Sequence, residues 1–178
     1  MAGVAVAVAL RVALGTPDAA ASMPAGAVFA AALLGLALGA GWRAGRPSLV
    51  AICIGVGGGL VLVATWLSSR TGAAVDLAPV NAAIAVWTPV VVLIAIAEEV
   101  VLRGVLFNAA RAWGGDRWAL ALTTILFAAM HLPLYGVGAL PLDLAVGLLL
   151  GGLRIVSGGV LAPAIAHVIA DLAGGWLL

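Results

Sequence analysis

The chain has 178 residues, 65% of them hydrophobic and 8% charged, with a net charge of +1, whereas soluble domains are about half apolar and about a quarter charged. That balance excludes an ordinary soluble domain and predicts an all-α, polytopic transmembrane helical bundle. Its cations are all arginines, with no lysine, and they offset the acids almost evenly, which leaves no basic surface for nucleic acid and no acidic tail.

A hydrocarbon core of ~30 Å calls for ~20 consecutive apolar helical residues. The opening MAGVAVAVAL lacks the positive n-region of a signal peptide and is interrupted by Arg11, so it predicts a short or partial helix. Ala25–Trp42 and Leu49–Ser68 each predict a span, and Cys53 in the second reads as a small buried side chain rather than a reactive thiol or ligand. The run from Asn81 to Trp113 overruns the bilayer at ~1.5 Å per residue. Pro89, which removes a backbone donor, predicts a kink with the spanning part starting near it. Trp118–Leu132 predicts a further span. The last apolar region divides around Arg154–Gly159 into Leu140–Leu153 and Val160–Leu178. The sum is six membrane helices, or seven with the N-terminal run, in one domain covering residues 1–178. Its linkers are short: WRAGRPS, SSRTGAAVD, WGGDR and LPLYGVGALP.

Alternating these spans puts Arg43, Arg46, Arg111, Arg117 and Arg154 on one side and Arg70 on the other, so the arginine-rich side is cytoplasmic by the positive-inside rule. The expected location is a plasma membrane. Glycines in GVGGG and GLLLGGL suit close helix approach in lipid. Trp42, Trp66, Trp113, Trp118 and Trp176, near span ends, read as interfacial anchors.

One stretch resists this description. In IAIAEEVVLRGVLF, residues 94–107, Glu98, Glu99 and Arg103 sit in mid-span, where each charge costs ~2.5–3.5 kcal/mol. Glu99 and Arg103 form an i, i+4 pair in the favourable order. Glu98 has no local partner and must meet a polar group on another helix or take up a proton. Both histidines also lie in spans, His131 in LFAAMHLP and His167 in APAIAHVIAD, the latter four residues before Asp171. Counted from the cytoplasmic arginine of each span, Glu98, His131 and His167 lie 13, 14 and 13 positions away, roughly 20 Å at 1.5 Å per residue. They can meet in one layer. A carboxylate, two imidazoles and an aspartate shielded from lipid suit activation of a water for amide hydrolysis, with polar groups left to stabilise the oxyanion. The donor set Glu98, His131, His167 and Asp171 also suits a divalent metal such as zinc, with a position open for water. The residues alone do not choose between the two.

The three motifs AEEVVLRG, FAAMH and HVIAD resemble those of the CAAX prenyl protease 2 and lysostaphin-resistance-protein-A-like family, also called Abi or CPBP intramembrane proteases. That pattern is E-E-x-x-x-R, then F-x-x-x-H, then H-x-x-x-N or D. Glu98, Glu99 and Arg103 match the first, Phe127 and His131 the second, and His167 and Asp171 the third, so the resemblance covers about residues 89–178. It implies a catalytic core there, in a membrane endopeptidase whose Glu98 and His131 activate water, with His167 and Asp171 in the place of the oxyanion-stabilising pair. Asparagine in the last position would donate a hydrogen bond, whereas an ionised aspartate only accepts. Asp171 therefore carries a proton, orients His167 or binds metal. The implied partners are membrane lipid and a membrane-associated protein or peptide substrate.

Rival chemistries fit less well. H-E-x-x-H is absent, Ser157 precedes His167 in a predicted turn, and Asp116 of the GGD sequence has no intramembrane aspartate partner. Two non-protease readings keep the buried charges: a proton-coupled transporter subunit, which predicts inverted repeats that the sequence does not display, and a catalytically silent scaffold or bacteriocin-immunity protein. Asp143 reads as a helix cap, Trp87 as a candidate groove residue, and Tyr135 with its neighbouring glycines as a loop beside His131.

Overall fold

The computed structural model describes residues 1–16, 18–70, 77 and 81–177. Most of the SSRTGAAVD linker, together with Pro17, residues 78–80 and Leu178, lies outside the described residues. Among those described, the chain is helical apart from one isolated bridge between Leu77 and Leu177. The helices are α1 (Ala2–Leu14), α2 (Met23–Gly39), α3 (Leu49–Ser69), α4 (Ala82–Glu99), α5 (Phe107–Tyr135), α6 (Leu140–Ser157) and α7 (Leu161–Trp176). A π-helical segment, Val100–Leu106, joins α4 to α5, and a 3₁₀ turn, Val137–Ala139, precedes α6.

The starts of the helices follow local chemistry. Ser22 accepts from the Ala25 amide at 3.4 Å ahead of α2, and Asn81 accepts from the Ile84 amide at 3.0 Å ahead of α4; each satisfies a first-turn donor that has no intrahelical acceptor. Gly115, at φ +72°, breaks α5 into two limbs, a backbone setting that glycine adopts without a Cβ penalty. Two helical stretches, Leu49–Ser69 and Val137–Ser157, are long and apolar enough to cross a membrane by length and composition. The helices α1, α2 and α7 are apolar but shorter, so the expected six or seven full spans are not all matched by full-length apolar helices.

Two local expectations change and one is met. The helix passes through Pro89 without interruption, and the irregularity falls instead at Val100–Leu106. The division expected around Arg154–Gly159 falls at Gly158, whose φ is +70°, with α6 continuing to Ser157. Cys53 is exposed on the outer face of α3 rather than buried, because the face of α3 that packs inward is the glycine face.

That glycine face sets the tightest packing. Gly55 and Gly59 lie against α7 and Gly58 against Leu153 of α6 and Ala166 of α7, and a Cβ added at Gly55 would stand 2.7 Å from the Ala162 carbonyl oxygen. The helices meet backbone to backbone, the arrangement small residues permit in lipid. Gly55→Val is therefore expected to push α3 off α7 at a cost of about 1–3 kcal/mol. Gly57→Val, at a position with nothing within 4 Å, should leave stability unchanged. Thermal unfolding of the two variants in detergent checks the contrast.

Candidate active site

Four helices converge on Glu98. It ends the last full turn of α4 and is 2% exposed. Its Oε2 lies 4.0 Å from His131 Nε2 on α5 and 3.9 Å from His167 Nε2 on α7, while its Oε1 lies 3.9 Å from Arg11 on α1. The expected meeting of Glu98, His131 and His167 in one layer is what the coordinates contain. None of these separations is a direct hydrogen bond, yet a spacing near 4 Å suits one water bonded to both ends at about 2.8 Å.

The neighbouring residues fix how both imidazoles face that point. His131 Nδ1 is 2.8 Å from the Phe127 carbonyl. A carbonyl only accepts, so Nδ1 carries the proton and the Nε2 lone pair turns toward Glu98. His167 Nδ1 is 3.1 Å from Glu99 Oε1, and the same oxygen accepts from Arg103 at 2.8 Å. A carboxylate held by a guanidinium accepts, so His167 also donates from Nδ1 and presents Nε2 to the site. Phe127 walls off this cluster. Its ring centroid lies 4.3 Å from that of His131 and 5.4 Å from that of His167, and the Arg103 guanidinium carbon sits 4.9 Å above it.

Glu99 and Arg103 are fully buried and pair as the i, i+4 spacing predicts. Glu99 has the second partner, His167, that spacing along one helix could not reveal. Arg103 also donates to the Gly147 carbonyl of α6 at 3.1 Å, and Arg154 donates from Nε to the Arg103 carbonyl at 2.8 Å and to Asn108 at 2.9 Å. The π segment thus has one of its carbonyls taken by a guanidinium from another helix. Wide turns of this kind are frequent at functional sites because they re-aim side chains. Here the segment lies directly between the two glutamates and Phe107.

Asp171 stands at the edge. Its Oδ1 is 3.6 Å from His167 Nε2, beyond hydrogen-bond length, and its side chain is 36% exposed. Glu99, not Asp171, is the residue that orients His167. Arg11 was left without a role by the sequence, although a charge inside an apolar run is itself a signal of function. It is 5% exposed, its guanidinium lies 5.0 Å from the Phe29 ring centroid, and among the described residues its Nε has no hydrogen-bond partner. Removing one member of a buried charge pair leaves the other uncompensated. Arg11→Met should therefore destabilise the protein, and adding Glu98→Gln should restore part of the loss. A double-mutant cycle in detergent is expected to give a coupling of about 1–3 kcal/mol; additive effects would separate Arg11 from Glu98.

A zinc ion with ligands at ~2.1 Å sets tetrahedral donors about 3.4 Å apart. Glu98 Oε2 lies 3.9–4.0 Å from both imidazole nitrogens, and among the described residues no three His, Cys, Asp or Glu side chains form a metal-holding group. The 3.6 Å between His167 Nε2 and Asp171 Oδ1 is close to that tetrahedral spacing and the Glu98 separations are about 0.5 Å wider, so a bridging water and a divalent ion both suit these four donors.

Other candidates fall elsewhere. Trp87 packs against Gly175, and Trp176 donates to Thr88 at 3.2 Å; both serve the contact of α4 with α7. Trp42, half-buried, lies over Gly104 rather than standing free at the interface. Tyr135 stacks on His131 with centroids 5.7 Å apart. Asp143 is buried in the first turn of α6 with Oδ2 unpartnered.

No curated protein and no solved structure matches the chain. A family model described as type II CAAX prenyl endopeptidase Rce1-like matches residues 80–173, just over half of the sequence. That span takes in Glu98, Glu99, Arg103, Phe127, His131, His167 and Asp171, while Arg11 lies before it. With its apolar helices and a charged cluster enclosed among them, this integral membrane protein belongs to the Rce1-like family of CAAX-type proteases.

Proposed function

We propose that the protein is an intramembrane endopeptidase that hydrolyses a peptide bond of a membrane-associated protein or peptide with a water activated by Glu98 and His131. The observation that carries this reading is the approach of both histidine Nε2 atoms to one oxygen of a buried glutamate at 3.9–4.0 Å. Glu98 and His131 so placed accept the two hydrogens of one water, and His167 faces the same point from α7.

The steps follow from the residues. Glu98 takes one proton from the water, and His131, its Nδ1–H held by Phe127, accepts the water's other hydrogen bond and aims its oxygen. Attack on the scissile carbonyl forms a C–O bond and places negative charge on the carbonyl oxygen. His167, anchored through Nδ1 by Glu99, donates from Nε2 to that oxygen in its doubly protonated form. Glu98 then passes its proton to the leaving nitrogen as the C–N bond breaks. Water is consumed, and an acid and an amine are released.

No step needs a metal. Cleavage of a prenylated CAAX-type peptide by the full chain in liposomes is expected to survive treatment with EDTA or 1,10-phenanthroline within about twofold. Loss on chelation that added zinc restores would replace this scheme with one in which Glu98, His131 and His167 close around an ion. The family's description makes a prenylated peptide the first substrate to try, and a pool of membrane-proximal peptides the second.

A further inference from the structure

A cavity of about 680 Å³ lies between α3, α4 and α7, within the ~300–1,000 Å³ of ligand-sized pockets. Val92, Ile96 and Val100 line it at a spacing of four, facing Ile165 and Ile169 of α7. Glu98 is two positions from both Ile96 and Val100, about 200° around the helix at ~100° per residue. The cavity and the catalytic cluster therefore occupy opposite sides of α4.

Its lining is chemically divided. Val92, Ile96 and Ile165 give it an aliphatic wall, whereas Arg43, Arg46 and Ser48 of the segment between α2 and α3, with the buried Arg154 of α6, give it a cationic one. Arg43 and Arg46 are exposed, and among the described residues neither pairs with a carboxylate. From Gly104 to Val92 the wall runs roughly 18 Å at ~1.5 Å per residue, close to the ~15 Å depth of one leaflet. The arginine end is the cytoplasmic one by the positive-inside rule, and the cytoplasmic leaflet carries the anionic lipids. A peptide or prenyl group seated here would have the body of α4 between it and Glu98.

We propose that this cavity is a binding site for an anionic phospholipid, with the phosphate on Arg43 and Arg46 and one acyl chain along Val92, Ile96 and Ile165. Two surface arginines attract an anionic headgroup enough to be worth about tenfold or more in affinity. The site is independent of the catalytic reading.

Native mass spectrometry of the full chain in detergent, titrated with dioleoyl phosphatidylglycerol or dioleoyl phosphatidylcholine, tests it. The anionic lipid is expected to bind at least about tenfold more tightly, and Arg43→Gln with Arg46→Gln to remove that preference. Arg43→Lys with Arg46→Lys should keep most of it. Ile96→Trp, which fills the channel, should weaken both lipids, with the thermal unfolding of each variant checked alongside. Equal affinity for the two lipids, or a double glutamine variant that keeps the preference, would overturn the proposal. Competition by inorganic phosphate as effective as by lipid would overturn the acyl-chain assignment, and one-for-one displacement by a prenylated peptide would make the cavity a substrate groove instead.

Discussion

Glu98→Gln is expected to lower peptide cleavage by about 10³–10⁴-fold, at the upper end of what a positioned general base contributes, while the protein stays folded. The two halves of that expectation come from one set of distances. Glutamine has the size of glutamate but cannot take the water's proton, so the chemistry fails. The carboxylate makes no direct hydrogen bond, its nearest partners being 3.9–4.0 Å away, so the loss of its charge costs stability mainly through Arg11, by about the 1–3 kcal/mol of their coupling, and leaves the fold in place. Glu98→Asp separates placement from chemistry: it keeps the acid but withdraws it by one methylene, and a misplacement near 1 Å can cost about 10²-fold. The order of activity should be wild type, then aspartate, then glutamine, measured on a prenylated peptide in liposomes with thermal unfolding alongside. A glutamine variant that cleaves like the wild type would remove Glu98 as the base and leave the two histidines to be reassigned.

How much of this arrangement the sequence disclosed can be argued residue by residue. Charges in an apolar run are costly enough to need partners, so Glu98, Glu99, Arg103, His131 and His167 stood out, and counting depth from the flanking arginines put three of them in one layer. The i, i+4 rule found the Glu99–Arg103 pair because both residues lie on one continuous helix. The same rule pairs His167 with Asp171, whose Oδ1 lies 3.6 Å from Nε2, but it could not show that Glu99 holds the other ring nitrogen from another helix. Contacts between helices are set by packing angles that no single-helix period encodes. For that reason Arg11 on α1, the Gly147 carbonyl on α6 and the Arg154 contact to the π segment were all invisible. The π segment has no local signature either; it is recognisable only from the way its carbonyl is taken up by Arg154. Cys53 was misplaced because a uniformly apolar helix such as α3 gives composition no way to say which face turns outward, and its glycines took the inner face.

Arg103→Met should be the most destabilising single substitution in the molecule. The guanidinium is fully buried, bonds Glu99 at 2.8 Å and the Gly147 carbonyl at 3.1 Å, and lies 4.9 Å from the Phe127 ring centroid, so it ties the α4 end of the π segment to α6 and to the wall of the active site. Its removal leaves Glu99 a buried carboxylate whose Oε2 already lacks a hydrogen-bond partner among the described residues and whose remaining polar contact there is His167. Breaking one side of a buried ion pair costs about 3–5 kcal/mol. Arg103→Lys should recover only part of this, because a single ammonium cannot span Glu99 and Gly147 as the planar guanidinium does. Glu99→Gln combined with Arg103→Met should be more stable than Arg103→Met alone, since the uncompensated charge is gone. Even so, the double variant is expected to cleave poorly: with neither a carboxylate nor its guanidinium, the Nδ1 proton of His167 is no longer pinned and Nε2 loses its aim. Thermal unfolding in detergent should therefore rank wild type, lysine variant, double variant and methionine variant in falling order. An Arg103→Met protein as stable as the wild type would mean that the pair is solvated in the membrane protein and that Glu99 does not depend on it.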